Sequence, residues 1–136
     1  MASVRDVMTE NPQTVEPGDS IEDAAKKMKS GGVGALLVVD GDDLKGIVTD
    51  RDIVVNAVAE GNGNAKVEEV CSSDTTTIEP DADLGDAIKK MREADVRRLP
   101  VVEDGDPVGI VSLGDLAIAA DDDSALKDIS SASANN

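Results

Sequence analysis

Two seven-residue stretches carry side chains that can do chemistry. Gly46-Ile47-Val48-Thr49-Asp50-Arg51-Asp52 and Gly109-Ile110-Val111-Ser112-Leu113-Gly114-Asp115 share one form: Gly, two apolar residues, Ser or Thr, two variable positions, then Asp. The apolar pair predicts the end of a strand, and the hydroxyl residue predicts a helix start. One reading is a capping box, with the hydroxyl at the N-cap and an acid three residues later. The other reading uses the same atoms for a ligand. A helix N-terminus presents free backbone N–H groups and positive dipole potential, which attract an anion. The hydroxyl can donate to a phosphate. The carboxylate can accept from the vicinal hydroxyls of a ribose, as acidic residues do in dinucleotide-binding folds. The two readings are compatible.

Arg97-Arg98 adds cations. The chain has only five arginines, and two are adjacent at the start of an expected strand. Strand alternation turns them to opposite faces or edges, which argues against one shared surface ion pair. Adjacent arginines near an expected cleft in so acidic a chain point to anion recognition. Salt bridges to the abundant aspartates are the competing reading. The matching positions of the first half are Gly34-Ala35, so two clefts built on these halves would be unequal.

The elements that position these residues come from an internal repeat. A shift of 63 residues aligns Val4–Ile53 with Val67–Leu116 without a gap, and 19 of the 50 pairs are identical. Thr14-Val15-Glu16-Pro17 meets Thr77-Ile78-Glu79-Pro80, and Asp23-Ala24-Ala25-Lys26-Lys27-Met28 meets Asp86-Ala87-Ile88-Lys89-Lys90-Met91. Each repeat predicts strand, helix, strand, strand, helix. Thr14-Val15 is a short strand. Ser20 caps a helix with Ile21, Ala24, Ala25 and Met28 on one face, and Gly31-Gly32 ends it. Leu84, Ala87, Ile88 and Met91 repeat that face. Ala35–Val39 and Leu44–Val48 form a hairpin around Asp40-Gly41-Asp42-Asp43. A last helix follows Thr49, with Ile53, Val54, Ala57 and Val58 facing inward. The second repeat continues with strands Arg98–Val102 and Val108–Val111, then a helix from about Gly114. One repeat is too small to bury its own faces, so two must share a fold. The expected division is repeat one at 1–62, repeat two at 63–120, and a frayed acidic tail at 121–136, with Asn62-Gly63-Asn64 in the connector.

Composition bounds the rest. The chain has 136 residues, 29 acids against 13 Lys and Arg, a net charge of −16, no aromatic residue, no His and one Cys. The core must be aliphatic. Lack of His removes the commonest acid/base residue, and a single Cys excludes an internal disulfide and a cysteine-rich zinc site. The acidic balance argues against nucleic acid. No signal peptide or membrane span is evident, so the expected location is cytoplasmic. The charge has two explanations: a partner-repelling surface, or adaptation to a salt-rich halophile cytoplasm. The second is favoured, because the acids are spread along the chain and Asp outnumbers Glu 20 to 9.

The 63-residue repeat, the stretch Val96-Arg97-Arg98-Leu99-Pro100-Val101-Val102 and both Gly-Ile-Val-Thr/Ser-x-x-Asp motifs resemble a tandem pair of CBS domains, often called a Bateman module. The resemblance spans about residues 4–120. It implies an α+β (α/β-like) fold of two βαββα units packed sheet to sheet with pseudo-two-fold symmetry, as in stand-alone archaeal CBS-pair proteins. It also implies regulatory binding of AMP, ADP or ATP in two clefts between the repeats, and a homodimeric disc. Asp52 and Asp115 match the family's ribose-binding aspartate. Thr49 and Ser112 match its hydroxyl, and Arg97 and Arg98 match its phosphate-contacting positions. The resemblance places Gln13, Thr14, Val15, Val33, Gly34 and Ala35 around an adenine, with Thr76, Thr77, Ile78 and Val96 in the other half. Without aromatic rings, the base must be sandwiched by aliphatic groups such as Val15, Val33, Ile47, Ile78, Val96 and Ile110.

The expected function is therefore energy-sensing regulation of a separate, unidentified protein effector, without catalysis, catalytic cofactor, metal, nucleic acid or membrane. The alternatives are an S-adenosylmethionine-binding module, or a structural dimerisation module with vestigial clefts. Cys71 aligns with Met8 and fits as a packing residue. Asp40, Asp42 and Asp43 lack EF-hand spacing and form a solvated turn.

Overall fold

The computed structural model describes residues 2–73 and 75–120, excepting the side chain of Ala120. The expected tail at 121–136 lies outside the described residues. The chain divides into two compact units that cut across the repeat boundary. One is Pro12–Thr75, and the other joins Met1–Asn11 to the chain from Thr76 onward. They are called here the Pro12 unit and the Thr76 unit.

In the Pro12 unit, β2 (Thr14–Val15) runs parallel to β3 (Ala35–Asp40), which pairs antiparallel with β4 (Asp43–Thr49). Helix α2 (Ile21–Gly31) begins where Ser20 Oγ accepts from the Asp23 N–H at 3.0 Å. It ends where Gly32 takes the left-handed conformation at φ 64°, which glycine adopts without steric cost. Ile21, Ala24 and Met28 pack with Leu36, Val38 and Val48. Ala25 differs from expectation and is exposed, because it sits at the rim of the apolar stripe.

Helix α3 (Asp50–Ile53) continues into a π-helical turn, Val54–Val58. The Ala59 N–H donates to Val54 O at 2.8 Å, an i to i−5 bond. The wider turn changes the expected face. Ile53 and Ala57 are buried, whereas Val54 and Val58 are 58% and 61% exposed.

The Thr76 unit repeats the plan. α5 (Leu84–Ala94) packs on the hairpin of β5 (Arg98–Glu103) and β6 (Asp106–Ser112), and α6 (Leu113–Ala120) follows. Its core is Val4, Ile78, Ala87, Met91, Leu99, Val101, Val111 and Leu116. Both cores are aliphatic throughout, and each fully buried side chain of this size contributes about 1.5–3 kcal/mol. The expected strand Thr77-Ile78 reduces to one parallel bridge, Ile78 to Val101.

The units cut across the repeat because each repeat's leading segment packs in the other half. α1 (Val4–Val7) buries Val4 in the Thr76 unit, with amides bonded to Ala82 O and Pro80 O, both at 2.9 Å. β1 (Thr9–Glu10) then extends that unit's sheet against β6. α4 (Val67–Val70) does the same in the Pro12 unit, with amides on Asp19 O at 2.8 Å and Pro17 O at 3.0 Å. Ser72 next exchanges backbone bonds with Ile47. Glycine is required at both crossings. A Cβ on Gly46 would collide with Ser72 O, and one on Gly109 would lie 2.9 Å from Thr9 O.

Candidate functional site

Both Ser/Thr-x-x-Asp motifs form the reciprocal capping pair. The Thr49 N–H donates to Asp52 Oδ2 at 2.9 Å, and the Asp52 N–H donates to Thr49 Oγ1 at 3.0 Å. Ser112 and Asp115 repeat this at 3.0 and 3.1 Å. All four residues are half-buried. Each carboxylate thus commits Oδ2 to a backbone amide. Among the described residues, Oδ1 of neither accepts a hydrogen bond. The capping reading holds, and the arrangement leaves one carboxylate oxygen for a ligand.

A second backbone bond fixes each box to the start of the preceding strand. The Asp50 N–H donates to Gly34 O at 3.0 Å, and the Leu113 N–H donates to Arg97 O at 2.8 Å. Arg98 stands opposite Ser112 in the sheet register, as Ala35 stands opposite Thr49. Arg97 is exposed and Arg98 half-buried. Neither forms an ion pair among the described residues, whereas Arg5 is held by Glu103 at 2.7 Å. In the Thr76 unit the backbone therefore sets Arg97 and Arg98 beside the Ser112–Asp115 box. In the Pro12 unit the aspartate and hydroxyl stand beside Gly34-Ala35.

The expected base-lining residues divide. Val15 and Ile78 are core residues, 2% and 3% exposed, so their side chains are not available to a ligand. Hydrophobic burial into the helix–sheet core fixes them there. Val33 and Val96 are 38% and 41% exposed, immediately before Gly34 and Arg97. Ile47 and Ile110 are half-buried, Gln13 and Thr14 exposed, and Thr76 and Thr77 half-buried.

Thr77 and Ile78 also border a groove of about 740 Å³ with Glu79, Lys89, Lys90 and Asp104. It opens at the Glu103–Asp106 end of the hairpin, away from the Arg98–Ser112 end. The Ser112–Asp115 box is not part of it.

Two tethers were not anticipated. Lys27 Nζ donates to Thr14 O at 2.7 Å, and Lys90 Nζ donates to Thr77 O at 2.9 Å. The aligned Lys-Lys-Met triplets were the available signal. Cys71 is half-buried against the Pro12 core. Burial pushes its thiol up, and the charge of Asp52 pushes it further in the same direction. A protonated thiol is a packing group and a poor nucleophile. Among the described residues there is no cluster of metal-ligating side chains, and no helix is long and apolar enough to cross a membrane.

The fold and its doubled boxes define a tandem repeat of two mixed α/β units. The CBS domain model matches residues 4–58 and 67–122, and the chain belongs to that family as a tandem pair. It is 44% identical over 119 residues to the CBS domain-containing protein YhcV of Bacillus subtilis, covering 87% of this chain and 85% of that one. Among solved structures, it resembles the CBS domain pair of protein MJ0100 in complex with 5′-methylthioadenosine and S-adenosyl-L-methionine. That match has a TM-score of 0.81 and 29% identity, over 88% of this chain and 99% of the other. CBSX2 in complex with AMP matches with a TM-score of 0.75 and 29% identity, over 88% and 96%.

Proposed function

We propose that this chain is a regulatory module that binds an adenosine nucleotide, AMP, ADP or ATP, and passes its occupancy to a separate protein effector in the cytoplasm. The observation that carries the reading is the free Oδ1 of Asp115 in a box pinned beside Arg97 and Arg98. Ribose hydroxyls bond that oxygen, Ser112 and an arginine take the phosphate, and Val96 covers the base. The Pro12 unit offers Asp52, Thr49, Val33 and Gln13 with no arginine at the matching position, so it holds the same ligand more weakly. The AMP complex of CBSX2 supports this assignment. Ligand acts by favouring one arrangement of the protein over another. Catalysis plays no part.

Exposed Val54, Val55 and Val58 supply an apolar face for a homodimer. Spread acidic charge suits a salt-rich cytoplasm, so the fold is most stable at high KCl.

S-adenosylmethionine is the second reading, supported by the MJ0100 complex. Thermal melting followed by circular dichroism in high KCl separates the two. A ligand present at 100 times its dissociation constant stabilises the fold by about 2.7 kcal/mol. Stabilisation by AMP, ADP or ATP supports the nucleotide, and stabilisation by S-adenosylmethionine alone supports the second reading. No shift with any of them leaves a structural dimerisation module.

A further inference from the structure

Helix α2 ends on two glycines with different reasons for being there. Gly32 holds the left-handed cap. Gly31 lies within the helix, where glycine is less favourable than alanine. The space its side chain would fill is taken by Gln13. Cδ of Gln13 lies 3.0 Å from where a Cβ on Gly31 would stand, and Nε2 lies closer. The same positions of the other repeat are Ala94 and Thr76. The longer side chain goes with glycine, and the shorter with alanine.

The backbone of Gln13 is fixed, because its carbonyl accepts from the Leu37 N–H at 3.1 Å. Its carboxamide is exposed, and among the described residues it forms no hydrogen bond. The connection beyond Gly31 runs Gly32-Val33-Gly34, and Gly34 O holds Asp50, the residue after Thr49. Gln13 and the Thr49–Asp52 box therefore border one short connection.

We propose that Gly31 is a positioning residue that seats the Gln13 carboxamide to read a purine base in the Pro12 unit. This gives that half-site a base preference that Thr76 and Ala94 do not give the other. The inference rests on the adenosine-ligand reading above. A carboxamide presents a donor beside an acceptor, which pairs with N7 and N6 of adenine. Hypoxanthine carries an oxygen at position 6, so the amide oxygen would face another acceptor.

Calorimetric titration of AMP and IMP into the full chain tests this. The Gly31 and Gln13 variants and their reference all carry Asp115→Asn, so that the Pro12 unit is read; the unsubstituted chain is titrated beside them. Gly31→Ala and Gln13→Thr should each weaken AMP binding about tenfold, the scale of one bidentate base contact. IMP should change less, so the AMP/IMP preference falls. The double variant should bind like Gln13→Thr alone, and the melting temperature of Gly31→Ala should not drop. An unchanged AMP/IMP preference in Gly31→Ala, or losses that add in the double variant, would overturn the inference alone. An Asp115→Asn reference that binds no AMP, beside an unsubstituted chain that does, would also overturn the inference alone; an unsubstituted chain that binds neither nucleotide would sink the adenosine reading as well.

Discussion

Thr49 and Asp52 hold each other through two hydrogen bonds, 2.9 and 3.0 Å long, that leave Asp52 Oδ1 open. Ser112 and Asp115 do the same in the other unit. Each carboxylate therefore starts a helix and keeps one oxygen uncommitted at once. The two roles can be separated. Replacing an N-terminal box residue costs about 1 kcal/mol of stability. Asp→Asn keeps an acceptor for the backbone amide while removing the charge. Asp115→Asn should melt closer to the parent than Asp115→Ala, while both lose nucleotide binding in the Thr76 unit. Melting curves and calorimetry on the same samples check both halves of this prediction.

Arg97 and Arg98 should matter in proportion to phosphate charge. Arg97→Ala should weaken ATP more than AMP, and adenosine least. The penalty should shrink as KCl rises, because salt screens exposed charges beyond about 10 Å at 0.1 M and closer still above it. Titrations of the three ligands at two salt concentrations read this. Equal losses for adenosine and ATP would remove the arginine from the phosphate role.

Gly46→Ala should destabilise the fold by about 1–3 kcal/mol, the usual range for overpacking. The added methyl collides with Ser72 O and would pry the segment after α4 from β4. Gly109→Ala should act likewise on Thr9 and β6. Gly18→Ala is the control, because a Cβ there meets nothing within 4 Å. Urea unfolding of the three variants gives the comparison.

The Cys71 thiol should resist alkylation at neutral pH. Its folded pKa is raised above the ordinary thiol value, by burial first and by Asp52 second. A raised thiol pKa means the folded state holds the proton more tightly. The associated stability is complete below the unfolded pKa and is lost as pH rises through the folded one. Iodoacetamide labelling against pH should show a higher midpoint in the folded chain than in the unfolded one. Asp52→Asn should lower that midpoint.

Much of this was legible in the sequence, because a duplication states each element twice. Ser20, Gly32, both hairpins and both boxes follow from local residue chemistry that works the same way in any fold. What escaped was decided by tertiary packing. Val15 and Ile78 were expected beside a base, but the helix–sheet cores claim their side chains. Val54 and Val58 matched helical spacing until one wider turn rotated them outward. The exchange of α1 and α4 between halves has no periodic signature. Its only trace was the glycine pair Gly46 and Gly109, whose need became plain once Ser72 and Thr9 were seen to cross them.

The central claim is that the two boxes are adenosine-ligand sites. Calorimetric titration of AMP into the full chain at high KCl, beside the Asp52→Asn/Asp115→Asn variant, tests it most directly. The account predicts saturable heat from the parent and none from the variant, with both proteins folded by circular dichroism. Equal heat from both would contradict it, as would a folded parent that binds neither AMP, ADP, ATP nor S-adenosylmethionine.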